Sequence, residues 1–255
     1  MLTWNIDPVL LELGPLQVRY YGIFFALSLF LAYMVARHMV KMKKLSLENL
    51  DSLAIYLIIG LVVGARLGHV LFYESNYYFE NPEQIIQIWN GGLSSHGAAI
   101  GLLISYGLFL LTHKKVKFFD FADIIIIAAS LPIGMVRLGN FFNSEIVGRP
   151  TDLPWSVVFE RVDLIARHPS QIYEFLIGAL LFAVFYPLWL KKNKKAKPGY
   201  FFSLYLMAYF LLRFLVEFVK DYPLHENFFN LTTGQILSIP FFLFGLIIYF
   251  WPTKK

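Results

Sequence analysis

The chain has 255 residues, of which 58% are hydrophobic and 18% aromatic, whereas only 15% are charged. Soluble domains of this length are rarely so apolar, so the composition excludes an ordinary soluble protein and indicates one that spans a membrane. The formal net charge of +5 does not indicate nucleic-acid binding, because the basic residues are grouped between apolar runs.

About seven apolar runs approach the roughly 20 residues that a helix needs to cross the hydrocarbon core of a bilayer. These runs do not alternate in polarity, which favours helices over the strands of a membrane β-barrel. We therefore predict an all-α, polytopic membrane protein. The predicted spans are approximately 17–37, 52–73, 93–112, 118–142, 170–190, 199–219 and 234–251.

The longest interruptions between these runs lie at about 74–92 and 143–169. Both are too short to bury a hydrophobic core of their own. We predict that both are loops and that 1–255 forms a single transmembrane domain.

Basic residues are grouped in every second connection between the spans and at the C-terminus. The positive-inside rule assigns such segments to the cytoplasm, which places the N-terminus and both long loops outside. No basic residue precedes Arg19, so we expect a retained first span and no cleavable signal peptide. The basic groups are Arg37, Lys41, Lys43 and Lys44; Lys114, Lys115 and Lys117; the lysines within 191–197; and Lys254 and Lys255.

Three arginines fall inside predicted spans, namely Arg66, Arg137 and Arg213. With the predicted orientation and a rise of about 1.5 Å per residue, all three lie in the outer half of the membrane. Charges inside spans are uncommon, and they normally face a protein interior or a water-filled cavity. We therefore predict a polar pocket near the outer surface.

Other polar residues extend these positions along single helix faces. Tyr209 and Glu217 lie four residues before and after Arg213, and Asn140 follows Arg137 by three residues. An intrahelical pair of Arg213 with Glu217 also fits a purely structural role.

Span two carries a second polar face formed by Arg66, His69 and Tyr73. Arg66 either supports the pocket or forms one of its walls. Glycines repeat every fourth residue on this span and on span three, which favours close helix packing over ligand binding. They are Gly60, Gly64 and Gly68, followed by Gly97 and Gly101.

Several guanidinium groups together with amides and tyrosine hydroxyls suit a phosphate group, because arginine offers paired donors and stays ionised when desolvated. A lipid head group is the nearest phosphate at that depth. His96, at the outer end of span three, is the candidate for proton transfer near neutral pH. Glu145 and Glu217 are alternative bases, and a capping or interface role is the alternative for His96.

The chain contains no cysteine, which excludes disulfides, thiolate metal sites and a nucleophilic cysteine of its own. Its histidines are scattered, and no metal-binding motif or glycine-rich phosphate loop is present. We predict a site that uses side chains alone, with no metal and no cofactor.

Several segments resemble the motifs of bacterial prolipoprotein diacylglyceryl transferases. They occur in the family's order between about residues 14 and 245, and together they are specific. The segments are "VRYYG", "GARLGHVLFY", "SSHGAAIG", "GMVRLGNFFNSEIVGRP", "RHPSQIYE" and "YFLLRFLVEF".

The resemblance implies an enzyme of the bacterial cytoplasmic membrane whose active site faces the outer leaflet. Its implied substrates are phosphatidylglycerol and the signal peptide of a preprolipoprotein with its lipobox cysteine. The diacylglyceryl group passes to the cysteine thiol, a thioether forms, and glycerol-1-phosphate leaves. Implied catalytic residues are His96, Arg137, Tyr209 and Arg213, and implied substrate-binding residues are Tyr21, Arg137, Asn140, Glu145, Gly148, Arg213 and Glu217.

A carrier for organic phosphates is the competing hypothesis, because an arginine site in the outer half also suits anion transport. The sequence shows no inverted repeat, whereas alternating access favours a midplane site between repeats.

Overall fold

The computed structural model describes residues 2–14, 16–222 and 230–251. Helices make up most of this part of the chain, and the strands are short. The helices are α1 (Tyr20–Lys43), α2 (Leu47–Phe72), α3 (Ser75–Glu80), α4 (Ser95–Thr112), α5 (Phe118–Ala128), α6 (Ser130–Phe142), α7 (Ser170–Lys192), α8 (Tyr200–Val216) and α9 (Thr233–Phe250). The strands are β1 (Leu2–Trp4), β2 (Val9–Leu13), β3 (Leu16–Arg19), β4 (Val157–Phe159) and β5 (Ala166–Arg167).

Seven helical segments within the described residues are long and apolar enough to cross a membrane. Five correspond to single helices, the fourth combines α5 and α6 over Phe118–Phe142, and the sixth extends α8 by a 3₁₀ turn, Glu217–Val219. The predicted all-α, multi-pass architecture is therefore confirmed, although α1 continues beyond the predicted end at residue 37. The orientation of the termini stays a prediction, and Lys254 and Lys255 lie outside the described residues.

The fourth span is interrupted near its middle, between Ala128 and Ser130. Pro132 lies in the first turn of the following helix, where its missing N–H leaves no hydrogen bond unmade. Pro187, by contrast, lies inside the continuous helix α7. The interruption separates the arginine-bearing helix α6 from α5.

The chain forms two compact units. The first contains the residues up to Met39 and those from Ala122 onward, and the second contains Val40–Phe121. The single domain predicted for 1–255 stays a prediction.

Close contact between α2 and α4 organises the second unit. A Cβ atom on Gly64 would lie 2.5 Å from the carbonyl oxygen of Gly97 and 2.7 Å from the Cα of Gly101. Such distances leave no room for a side chain, so the two backbones touch along the glycine faces. The prediction that these glycines serve helix packing is confirmed.

Replacing Gly64 by alanine is expected to destabilise the protein by about 1–3 kcal/mol, because the added methyl group meets rigid backbone rather than a flexible side chain. Gly107 on α4 provides the matched control, since no atom lies within 4 Å of the Cβ it would gain. Unfolding titrations in mixed micelles measure both variants. Equal stability of Gly64→Ala and Gly107→Ala would contradict the packing role.

Arg66 has a structural role within the second unit. Its side chain donates to the backbone carbonyls of Gln84 at 2.6 Å, Ile85 at 2.8 Å and Gly91 at 2.6 Å. The residue is 4% exposed, and it also lies over the ring of Tyr78. Arg66 thus fixes the segment after α3 by donating to several of its backbone carbonyl groups.

Tight contacts also set the helix positions of the first unit. A Cβ atom on Gly178 of α7 would lie 2.9 Å from the Cα of Gly134 on α6. Buried Asp123 accepts hydrogen bonds from the backbone N–H groups of Gly199 and Phe202 at the start of α8. These contacts fix α6, α7 and α8, the three helices that carry the candidate site.

The five short strands were not predicted from the sequence. Strand β1 pairs in parallel with β4, β4 pairs antiparallel with β5, and β2 pairs with β3. Phe141, Val157 and Phe159 form a small buried core against which Trp4 packs. The segment 143–169, predicted to be a loop, contains β4 and β5, which share a core with α6 and the N-terminus instead of burying one alone; the other predicted loop, 74–92, contains α3.

Candidate functional site

A small cavity lies between α6, α7 and α8 of the first unit. Its empty volume is about 200 Å³, which includes space open to the surroundings. Each of the three helices contributes charged or hydroxyl-bearing side chains, and isoleucines line the rest of the cavity. The lining residues are Ile133, Arg137, Glu174, Ile177, Tyr209 and Arg213.

Arg137 is held by a carboxylate and an amide. Its Nε lies 3.1 Å from Oε2 of Glu174, and its Nη1 donates to Oδ1 of Asn140 at 3.3 Å. Asn140 follows by three residues on the same helix, as the spacing predicted. Nη2 of Arg137 has no hydrogen-bond partner among the described residues, which leaves a donor for a ligand.

Glu174 joins the two arginines of the cavity. Its Oε1 lies 3.5 Å from Nη1 of Arg213 and 3.0 Å from Nζ of Lys220, while Oε2 contacts Arg137. Sequence reasoning missed both Glu174 and Lys220. The rarity of charges inside membrane spans, which singled out the arginines, applies equally to Glu174.

Glu217 anchors the other side of Arg213. It pairs with Nη1 of Arg213, lies 3.3 Å from Nζ of Lys220, and accepts a hydrogen bond from Oγ1 of Thr232 at 2.7 Å. Thr232 caps α9, so the carboxylate also lies near a helix N-terminus, which favours negative charge. The Arg213–Glu217 pair is part of a larger network and not an isolated intrahelical pair.

Lys220 directly follows the sixth span, three residues after Glu217. The residue is 1% exposed. Burial lowers the pKa of Lys220 to about 7; Glu174 opposes this change, and Arg213 and Arg137 add to it. Its charge therefore changes near neutral pH.

A hydrogen-bonded segment extends from Asn140 into the chain after α6. Asn140 and Asn143 donate to the two carboxylate oxygens of Glu145 at 2.9 and 3.1 Å. Gln171 of α7 donates to the backbone carbonyl of Glu145 at 2.6 Å. Glu145 therefore orders this segment and reaches Arg137 only through Asn140.

Gly148 joins that segment to the end of the sixth span. Its N–H donates to the carbonyl of His168 at 3.0 Å, and it forms a bridge with Lys220. A Cβ atom there would lie 2.5 Å from the carbonyl oxygen of His168 and 2.7 Å from that of Val219. Only glycine fits without displacement, so Gly148 determines where Lys220 lies.

Tyr21, in the first turn of α1, packs against the same helix that carries Arg137. A Cβ atom on Gly139 would lie 2.7 Å from Cδ2 of Tyr21, so the ring occupies the space beside that glycine. Tyr209 lies on α8 one turn before Arg213 and stacks on Tyr205 at 6.2 Å between ring centroids. The first unit thus brings together most of the predicted residues.

His96 belongs to the second unit. It lies in the first turn of α4, two residues after the cap residue Ser94, and its side chain is exposed. Arg66, which the sequence suggested as a possible wall of the pocket, instead binds backbone carbonyls of its own unit. Neither residue is among those that line the cavity.

The cluster suits an anion, because two guanidinium groups from different helices face one cavity, and each has N–H groups that no described residue accepts. Within the described residues, no three His, Asp or Glu side chains are grouped as metal ligands. The chemistry that the cluster can provide is binding of a phosphate group and stabilisation of negative charge that develops on it.

Comparisons with known proteins agree on one family. The family model described as prolipoprotein diacylglyceryl transferase matches residues 8–251. A protein of Tolumonas auensis, named phosphatidylglycerol–prolipoprotein diacylglyceryl transferase, is 42% identical and aligns over 100% of this chain and 99% of its own. Proteins with the same name from Bacteroides fragilis and Bordetella avium are 39% and 41% identical, and the alignments cover 100% and 98% of this chain and 96% of each relative.

Proposed function

Since the chain belongs to the prolipoprotein diacylglyceryl transferase family, we propose that it transfers the diacylglyceryl group of phosphatidylglycerol to a prolipoprotein, the first step of lipoprotein maturation. It is a multi-pass membrane enzyme. We place it in the bacterial cytoplasmic membrane with its active site toward the outer leaflet. The grouping of basic residues supports this orientation.

The acceptor is the thiol of the lipobox cysteine in the signal peptide. Its sulfur attacks the carbon of the diacylglyceryl group that is bonded to the phosphate oxygen. A C–S bond forms as this C–O bond breaks. Glycerol-1-phosphate leaves with the bridging oxygen, and the thiol proton passes to a base. Because this chain has no cysteine, the thiol arrives with the protein substrate.

One observation carries this proposal: Arg137 and Arg213 come from separate helices and meet at one cavity. Their unused N–H groups bind the lipid phosphate and stabilise the charge on the departing glycerol phosphate. Glu174 bridges the pair, so both guanidinium groups are in place before the lipid arrives.

The remaining site residues of the first unit bind or position the lipid. Asn140 and Tyr21 orient the head group, and the hydroxyl of Tyr209 donates a hydrogen bond to the lipid beside Arg213. Glu217 holds Arg213 in place. Glu145 and Gly148 order the segment after α6, which supports Asn140 and Lys220.

His96 is the proposed acceptor of the thiol proton. Replacing it by alanine is expected to lower turnover about 100-fold at neutral pH, because a general base contributes at least that much. The loss should shrink at alkaline pH, where a thiol with an ordinary pKa of about 8.5 ionises unaided. Turnover near that of the unaltered enzyme at every pH would contradict this assignment. The control is His38→Ala, which removes an exposed histidine and should leave turnover unchanged.

The test of the proposed function is transfer from radiolabelled phosphatidylglycerol to a lipobox peptide by the purified protein. We expect labelled peptide and an equal amount of released glycerol phosphate, and no transfer to a peptide whose cysteine is replaced by serine. Proteoliposomes distinguish the competing hypothesis. Uptake of phosphate esters without transfer would favour a carrier and overturn the proposal.

A further inference from the structure

Glu174 is an acidic residue in a mostly apolar membrane-spanning helix. It is the only charged residue of α7 before the lysines of its last turn, and it is 4% exposed. A buried carboxylate is costly unless cations compensate it. In the proposed reaction the ionised carboxylate only holds the arginines, so its charge requires an explanation.

Helix packing brings this carboxylate to the arginines. Gly134 and Gly178 let the backbones of α6 and α7 touch. Glu174 lies one turn from Gly178, and Arg137 lies one turn from Gly134. The distance between Nε of Arg137 and the carboxylate is therefore only 3.1 Å.

The charges in direct contact leave a small positive excess. Arg137, Arg213 and Lys220 contact Glu174, and the last two also contact Glu217. Three cations face two carboxylates, so the cluster carries one net positive charge when all five groups are ionised. Without Glu174 the excess would double.

The substrate and the product differ in charge. The lipid phosphodiester is a monoanion, whereas a phosphomonoester has a second pKa near 6 and is largely a dianion at neutral pH. Each additional positive charge therefore favours the product over the substrate. A site built of arginines alone would release glycerol phosphate slowly.

We propose that Glu174 is a positioning residue that fixes the spacing of Arg137 and Arg213 and limits the positive charge of the site, so that glycerol phosphate can leave. This inference rests on the proposed function and adds product release to it. Lys220 has the opposite effect on the charge of the site. Its ammonium group contacts the same carboxylate oxygen of Glu174 as Arg213 does.

The test compares single and paired charge removal. Glu174→Gln keeps the shape and removes one negative charge, Lys220→Met removes one positive charge, and the double variant restores the balance. Inhibition of lipid transfer by glycerol 1-phosphate is measured at pH 6, below the pKa of about 7 that burial gives Lys220. The KM for phosphatidylglycerol is measured as a mole fraction in mixed micelles. Exposed Glu160→Gln is the control.

We expect the inhibition constant of glycerol 1-phosphate to fall at least about fivefold in Glu174→Gln and to rise at least about fivefold in Lys220→Met, because each change alters the net charge of the cluster by one unit. The double variant should return to within about twofold of the unaltered enzyme. Turnover of Glu174→Gln should fall while its KM falls too, a combination that loss of structure would not produce.

An unchanged or raised inhibition constant in Glu174→Gln would overturn the inference. So would a double variant that does not return toward the unaltered enzyme. Should Glu174→Gln fail to fold, Lys220→Met decides, since an unchanged constant there also contradicts the charge balance. Absence of transfer by the unaltered enzyme would instead refute the proposed function.

Discussion

Replacing Arg137 by alanine is expected to lower turnover about 1,000-fold, because loss of one donor to a developing oxyanion costs about 10²–10³ in rate. Glu174 keeps Arg213 and Lys220 as partners in this variant, so the protein should still fold. Transfer of labelled diacylglyceryl to a lipobox peptide measures the effect. Arg137→Lys should recover only part of the activity, since an ammonium group cannot make paired hydrogen bonds.

The control for this prediction is Arg161→Ala, which removes an exposed arginine outside the spans. It should leave turnover unchanged. Retention of most activity by Arg137→Ala would exclude this residue from phosphate binding and would leave Arg213 as the only guanidinium group assigned to it.

The second large effect is on stability. Glu217→Ala is expected to lower the free energy of unfolding by about 3–5 kcal/mol, because truncating one member of a buried charge network leaves its partners uncompensated. Glu217 is fully buried and contacts Arg213, Lys220 and Thr232. Glu217→Gln should cost less, since the amide oxygen can still accept a hydrogen bond.

Unfolding titrations with sodium dodecyl sulfate in mixed micelles measure these variants. Glu160→Ala serves as an exposed control and should remain within about 0.5 kcal/mol of the unaltered protein. A loss below about 1 kcal/mol for Glu217→Ala would show that the network contributes little to folding.

Composition and apolar run length were sufficient to predict the membrane spans, because a bilayer requires long apolar helices whatever their neighbours are. The same constraint singled out Arg137 and Arg213. Their meeting at one cavity depends on how the helices pack. The four-residue spacing in span six indicated only that Tyr209, Arg213 and Glu217 share one helix face.

Features formed by residues far apart in sequence were not predictable in this way. Strand β1 pairs with β4 across more than 150 residues, and β4 is buried along its whole length, so it shows no alternation. Lys220 lies just beyond the sixth span, where its sequence position does not distinguish it from an ordinary lysine that flanks a membrane helix. Only its contacts with Glu174 and Glu217 show that Lys220 belongs to the arginine cluster.

Neighbouring charges of the cluster have different tasks. Arg137 and Arg213 bind phosphate, whereas Glu174 and Lys220 set how strongly they bind it. The variants separate these tasks, because losing an arginine should lower both affinity and turnover, while losing Glu174 should raise affinity and lower turnover.

The most direct measurement is an experimental structure of the protein with a non-reactive phosphonate analogue of phosphatidylglycerol. We predict that phosphonate oxygens lie within about 2.7–3.2 Å of guanidinium nitrogens of both Arg137 and Arg213. A head group bound elsewhere, with both arginines still engaged only by Glu174, Asn140 and Glu217, would contradict the account.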